Sequence, residues 1–290
     1  MSPWKIIILI YWGVNLMSRL LNAGFKRLIN NKLFWACLTI LLIIGIIGCI
    51  SQYRNMLEYK IEIKTYTFLF ASASMIGIAL AILIPLFVGT DFSDGTIKNK
   101  VIVGHSRKSI YFSNLIISVA SGFIITAVHM IVMTAIVVTV FGPFKLPAHA
   151  IIWHIIATIF LIISYSSIFN MITLLSSNKT ISVVISLLLI FSLMMISAVV
   201  LNKLNNEEFI NTMSVVDGKN IFEVIKNPAY LEGNARKIHQ FIVDFIPAGQ
   251  GFQITGNIAP NIKILVVYSL MIALVLNCIG CFMFNKKDLK

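Results

Sequence analysis

The stretch DFSDGTIKNKVIVGHSRK, residues 91–108, is the longest polar segment in the first 200 residues, and long apolar runs lie on both sides of it. Asp94, or Ser93 before it, can accept hydrogen bonds from the free N–H groups that open a helix, so an N-cap is predicted there. Gly104 suits the left-handed position that ends a helix. Residues 94–103 are therefore predicted to form a short basic helix between two long apolar helices.

The composition places the rest of the chain in a membrane. Of its 290 residues, 58% are hydrophobic and only 12% are charged, whereas a soluble domain carries about 25% charged residues. The apolar residues form runs of about 20, the length that crosses a hydrocarbon core. The net charge of +12 is not arranged as a basic stripe with interleaved aromatic side chains, so nucleic acid is not an expected partner. The sequence predicts an all-α polytopic membrane protein with spans at 33–50, 67–90, 111–141, 150–175, 181–201 and 262–284.

Lysine and arginine residues predict the orientation of these spans. The predicted inner segments are 1–32, 91–110, 176–180 and 285–290, and the outer segments are 51–66, 142–149 and 202–261. The inner segments hold 13 of the 23 cations, and the two short outer segments hold four. Because cytoplasmic loops carry the excess of positive charge, both termini are expected in the cytoplasm of a cell whose plasma membrane holds the chain.

Residues 17–32 are predicted to form an amphipathic helix on the inner leaflet before the first span. One face carries apolar side chains and the other carries cations. The apolar residues are Leu20, Leu21, Phe25, Leu28 and Ile29, and the cations are Arg19, Lys26, Arg27 and Lys32.

The outer segment 202–261 is polar through residues 202–218 and helical in pattern from Ile221 to Ile225. A short apolar stripe around Phe241 and Phe245 then precedes Pro247. The stripe is too short to span a bilayer. It is predicted to enter the outer leaflet and return as a re-entrant hairpin, which requires protein or water to satisfy its backbone.

No catalytic, cofactor-binding or metal-ligating set is predicted. The sequence G-x-x-x-x-G-K-[ST] does not occur, so the chain is not expected to bind ATP itself, and H-E-x-x-H is also absent. His129, Asn170 and Asn277 lie within apolar runs. They are candidates for a transport path or for hydrogen bonds between helices.

Residues 91–107, D-F-S-D-G-T-I-K-N-K-V-I-V-G-H-S-R, resemble the first cytoplasmic loop of ABC-2-type permeases, the membrane subunits of one class of ATP-binding-cassette exporters. Residues 245–251, F-I-P-A-G-Q-G, are similar to a turn that this family often carries before its last span. The order of spans fits the family from about Met17 to the C-terminus.

The resemblance implies a permease that pairs with a second copy or a paralogue and with two separate cytoplasmic ATPases, which bind the ATP and Mg. Such permeases often export peptides or drugs. The resemblance makes the short helix a coupling helix, with Ile97, Val101 and Ile102 as its packing face and Lys98 and Lys100 directed to acidic ATPase residues. His105 and Arg107 would brace the loop to the third span. The implied coupling residues are Asp94, Gly95, Thr96, Ile97, Lys98, Lys100, Val101, Ile102, Gly104, His105 and Arg107, and the re-entrant turn is formed by Pro247, Gly249 and Gln250.

The sequence is also compatible with two other classes of function. A membrane scaffold or sensor that anchors a cytoplasmic partner would share the short helix. A membrane-embedded enzyme would need catalytic groups at one depth, and the sequence shows none.

Overall fold

The computed structural model describes residues 17–60, 63–144, 146–216 and 219–288, with the backbone alone for residues 213–216 and 219–222. Ten helices and one pair of strands are found within these ranges. In chain order they are α1 (17–29), α2 (Lys32–Tyr59), α3 (Tyr66–Ser93), α4 (Thr96–Ile102), α5 (Arg107–Phe141), α6 (Ala148–Ser176), α7 (Lys179–Leu204), β1 (Phe209–Val216), β2 (Lys219–Lys226), α8 (Gly233–Phe245), α9 (Pro247–Gly256) and α10 (Ile262–Lys286).

Six helices in the described part of the chain, α2, α3, α5, α6, α7 and α10, are long and apolar enough to cross a membrane. All six predicted spans are confirmed as helices, and the chain is a multi-pass membrane protein by this criterion. Helix α2 starts behind Asn31, whose side chain accepts from Leu33 N at 2.8 Å. It continues beyond its apolar stretch to Tyr59 because polar residues such as Gln52 and Glu58 are also good helix formers.

Helices α3 and α6 form the centre of the bundle. Each buries more than half of its most apolar stretch, whereas the other four spans bury a third or less. The small-residue ridge of α3 explains this close packing. Gly77 lies against Tyr165 of α6, and a Cβ at Gly77 would lie 2.7 Å from the Tyr165 ring. Ala73 and Ala81 on the same ridge are fully buried, so the ridge packs inside this chain.

The fold is predominantly helical, as an all-α membrane protein is, and a β-hairpin lies between α7 and α8. Strands β1 and β2 pair antiparallel, from Phe209↔Lys226 to Val216↔Lys219. Residues 221–225, predicted as helical in pattern, belong to β2. The sequence does carry the hairpin signal, an Asp-Gly pair at 217–218 between segments rich in β-branched residues.

Helices α8 and α9 form a helical hairpin with Ile246 between them. Close approach requires glycine in α9, because a Cβ at Gly249 would lie 2.4 Å from the Val243 carbonyl oxygen and one at Gly251 would lie 2.5 Å from the Ala73 oxygen of α3. The Phe245–Pro247 tip lines one cavity with four residues in the middle of α10, Met271, Ile272, Val275 and Leu276. The hairpin therefore reaches halfway along the neighbouring spans.

The loops gather at two ends of the bundle, as the order of the predicted spans requires. At one end, Arg107 donates to the Asn285 carbonyl at 3.1 Å, and Lys287 donates to the Leu174 carbonyl at 3.4 Å. At the other end, Thr255 donates to the Phe70 carbonyl at 2.8 Å. The predicted inner loops therefore meet one another, and the loop that follows α9 lies at the opposite end.

Candidate functional site

The short helix α4 exists, but it starts two residues later than predicted. Its N-cap residue is Gly95, which has φ +67° and provides no capping side chain. Asp94 instead ends α3, where its N–H donates to the Thr90 carbonyl at 2.9 Å. The prediction of Asp94 or Ser93 as N-cap is therefore wrong. Helix α3 continues through Ser93, and the chain turns from α3 into α4 at Gly95, where the left-handed backbone favours glycine. Gly104, with φ +98°, follows the end of α4 as predicted.

Burial changes the predicted packing face of α4, chiefly at Ile97. Ile97 is 1% exposed and belongs to the main core, so it anchors the helix to this chain. Ile102 and Val103 are 80% and 72% exposed, and Lys98 is exposed as well. Thr96 and Val101 are partly buried. The surface that α4 offers to a partner is therefore Lys98, Ile102 and Val103, and the prediction that Ile97 belongs to it is wrong.

A buried carboxylate holds α4 in place. Asp91 at the end of α3 is 1% exposed and accepts from Lys100 of α4 at 2.8 Å and from Arg27 of α1. The Arg27 guanidinium also lies 3.9 Å from the centroid of the Phe87 ring. We call Arg27, Asp91 and Lys100 the ionic triad. It joins α1, α3 and α4 through one carboxylate, and it engages Lys100, which the resemblance assigned to an ATPase.

Hydrogen bonds from Arg107 join the segment after α4 to the C-terminal end of α10. The Arg107 guanidinium donates to the Phe284, Asn285 and Lys287 carbonyls, at 3.5 Å for Phe284 and 3.1 Å for Asn285. A cation at the C-terminal end of a helix also interacts favourably with the helix dipole. Arg107 therefore braces the loop, but against the last span, whereas the expectation was the start of the third.

His105 lies in the same segment, half-buried, with no hydrogen bond to its buried Nδ1 among the described residues. Burial lowers the pKa of His105, and the positive charges of Lys100 and Arg19 lower it further. The ring is therefore neutral at pH 7.

A cavity of about 320 Å³ opens beside α4. It lies between the α3–α4 turn, the α6–α7 link at Ser176 and Ser177, and the chain after α10 at Lys287 and Asp288. Burial lowers the pKa of Lys287, which lines this cavity. Three loops of one end therefore form a recess next to the exposed face of α4.

Two of the three polar residues predicted inside spans, Asn170 and Asn277, lie near the Tyr111 hydroxyl of α5, and His129 lies apart from them. Asn277 of α10 accepts from the Tyr111 hydroxyl of α5 at 3.1 Å and donates to Ser167 of α6 at 2.8 Å. It therefore serves as an interhelical link. His129 is buried on α5 beside Gly45 of α2, and Asn170 is fully buried in α6. The structure does not bring the three together.

The predicted turn residues Pro247, Gly249 and Gln250 are all buried in α9. Gln250 donates to the Asp244 carbonyl at 2.8 Å and accepts from Ser269 of α10 at 2.5 Å. The Asp244 carboxylate accepts from Gln240 at 2.8 Å and from Gln253 at 3.0 Å. Burial raises the pKa of Asp244, and these two amide hydrogen bonds oppose that shift. The hairpin is thus held by an amide network around one carboxylate.

Sequence reasoning missed Asp91 and Asp244 as organising groups. A signal for Asp91 was present, because it is one of only three acidic residues in the predicted inner segments and ends an apolar run. Its partner Arg27 lies 64 residues away, and no local pattern predicts that pairing.

Comparison of the sequence with protein-family models and with curated proteins finds no match.

Proposed function

We propose that this chain is the transmembrane permease subunit of an ABC exporter of the ABC-2 type. It forms a translocation path with a second permease and couples to separate ATPases that bind and hydrolyse ATP. Its substrates are peptides or drugs, and it performs no enzymatic step of its own. Both termini and α4 lie on the cytoplasmic side of the plasma membrane, where the excess of lysine and arginine belongs.

The observation that carries this proposal is the exposed face of α4. Ile102 and Val103 lie outside the six spans, yet 80% and 72% of their surfaces are exposed. Large apolar side chains on a water-facing loop gain free energy when a partner covers them. The helix beneath them is fixed by Ile97 and the ionic triad, so movement of a bound partner would be transmitted to α1 and α3.

Two finer features belong to the same proposal. Helix α1 is an interfacial elbow that buries Leu20 and Leu28 against the bundle while exposed Arg19 and Lys26 face the headgroups. Helices α8 and α9 are a re-entrant hairpin from the outer side. Their reach to the middle of α10 supports this placement, as does the amide network that satisfies their polar groups away from water.

Co-elution tests the proposal. The chain is co-expressed with a candidate ABC-type ATPase and purified in mild detergent. We expect the ATPase to co-elute with the unaltered chain and to be lost with Ile102→Asp combined with Val103→Asp, because each charge would be desolvated at the contact. The matched control is Ile258→Asp, which changes a 44% exposed isoleucine at the opposite end.

Equal co-elution of the double variant and the control would refute α4 as the docking element. Co-elution without any stimulation of ATP hydrolysis would instead favour the scaffold or sensor function, which shares the docking helix but has no transport cycle.

A further inference from the structure

A wholly apolar cavity of about 520 Å³ lies below the tip of the α8–α9 hairpin. Its walls come from the hairpin tip, from the C-terminal third of α6, and from the middle of α7 and α10. Twelve residues line it, among them Ile168, Leu193, Phe245 and Leu276, and none of the twelve has a polar side chain. Water has no partner there, so an occupant must be apolar along its whole buried length.

The cavity opens towards the apolar outer surface of the bundle. Met271 and Val275 line it and are 47% and 51% exposed, and their neighbour Leu274 is 58% exposed. In the proposed bilayer these side chains face the hydrocarbon core. An alkyl chain can therefore enter from the membrane without crossing water.

One face of α8 extends from the cavity towards the outer end of the bundle. We call Lys237, Ile238, Phe241 and Phe245 the α8 stripe. These residues recur at helical spacing on one face, and all four are exposed. Phe241 and Phe245 each lie 5.7 Å from the Tyr268 ring of α10, which fixes the lower part of the stripe. From Phe245 to Lys237 the helix rises about 12 Å.

The stripe has the polarity of an outer-leaflet lipid. It is apolar from the cavity up to Ile238 and then carries the Lys237 ammonium, with Arg236 next to it over the Tyr230 ring. The Asp244 carboxylate on α8 is engaged by Gln240 and Gln253. Glu232 pairs with Lys226, and Glu208 also lies near Lys226. Lys237 and Arg236 therefore place two positive charges at the upper end of the stripe, where a phosphate would lie.

We propose that the cavity and the α8 stripe together bind one outer-leaflet phospholipid with an anionic headgroup. One acyl chain fills the cavity below Phe245, and the Lys237 ammonium pairs with the phosphate. The inference rests on the proposed placement of α8 on the outer side, but it requires no ATPase. It assigns the hairpin a lipid-binding role beyond the proposed coupling function.

Native mass spectrometry of the chain alone tests the proposal. The chain in mild detergent is mixed with phosphatidylglycerol or with phosphatidylcholine of the same acyl chains, and bound lipid per chain is counted. We expect one retained phosphatidylglycerol and weaker retention of phosphatidylcholine. Leu276→Trp fills the cavity and should lower retention at least about tenfold, since every buried methylene group lost weakens binding. Leu274→Trp, on the same helix but outside the cavity, should retain the lipid.

Headgroup selection is tested separately. Lys237→Gln should equalise the two lipids, whereas Lys60→Gln, an exposed lysine after α2, should leave the preference unchanged. Elution volume and circular dichroism check the fold of each variant, and Leu193→Phe replaces Leu276→Trp if that variant does not fold.

Equal retention by Leu276→Trp and Leu274→Trp would overturn the proposed site, as would a wild-type chain that binds both lipids equally. A wild-type dimer that retains no lipid and dissociates only with Leu276→Trp would show that the cavity is a contact between copies. Because the ATPase is absent, these outcomes are independent of the co-elution result.

Discussion

Replacement of Asp91 should loosen α4 from the bundle, because one buried carboxylate holds two cations from two other helices. In Asp91→Ala, Arg27 and Lys100 lose charge-assisted hydrogen bonds, each worth about 1.5–3 kcal/mol. Removing one partner of a fully buried pair costs about 3–5 kcal/mol. Here the cations keep 36% and 21% of their side-chain surface exposed and can turn to water. We therefore expect a loss of about 2–3 kcal/mol in the free energy of unfolding.

Asp91→Asn separates charge from shape. The amide keeps the volume and one acceptor, so the loss should be smaller, about 1–2 kcal/mol. A double-mutant cycle with Lys100→Met should be non-additive by at least about 0.5 kcal/mol, since the two residues contact directly. The matched control is Asp94→Asn, an exposed aspartate three residues on, which should change stability by less than about 0.5 kcal/mol.

Two assays report the change. Thermal unfolding in detergent measures global stability, and limited trypsin digestion measures opening of the α4 segment, which carries cleavage sites at Lys98, Lys100, Arg107 and Lys108. We expect a lower midpoint and faster cleavage for Asp91→Ala. Midpoints and cleavage rates equal to those of Asp94→Asn would refute the role of the ionic triad.

Three further predictions concern the bundle and the hairpin. Gly251→Ala should lower the unfolding temperature by several degrees, because its Cβ would lie 2.5 Å from the Ala73 oxygen, whereas Gly256→Ala, with its nearest neighbour at 3.5 Å, should be tolerated; equal effects would contradict this. Asn277→Leu should cost about 1–2 kcal/mol in thermal unfolding, since it leaves interhelical polar groups unpaired, and an unchanged midpoint would refute the link. Burial raises the pKa of Asp244 in the folded state above its ordinary value of 3.8. The native state therefore binds a proton more tightly than the unfolded state, so the free energy of unfolding falls as the pH rises from 3.8 through the folded-state pKa. A pH series of unfolding midpoints should show that fall, and Asp244→Asn should abolish it.

The spans were predictable because their signal is local and strong. Runs of about 20 apolar residues have one stable solution in a bilayer, and all six became helices. The alternation of loops between two ends followed from the order of the six spans. Helix ends were less predictable, since α2 continues through polar residues that favour a helix as well as water.

The candidate site was predictable in position but not in orientation. Residues 94–103 indicated a short helix, yet which side chains turn inward depends on distant neighbours. Ile97 packs in the core and Lys100 pairs with Asp91, and the sequence of the helix alone predicts neither contact. The β-hairpin was missed for a different reason, because its Asp-Gly signal lies in a segment surrounded by helices.

In the proposed permease, α4 transmits movement between the membrane bundle and an ATPase. The most direct test reconstitutes the chain with its candidate ATPase in proteoliposomes and measures ATP hydrolysis. We predict that the unaltered chain and Ile258→Asp stimulate hydrolysis, and that Ile102→Asp combined with Val103→Asp does not. Equal stimulation by all three chains would contradict the assignment of α4 as the coupling element.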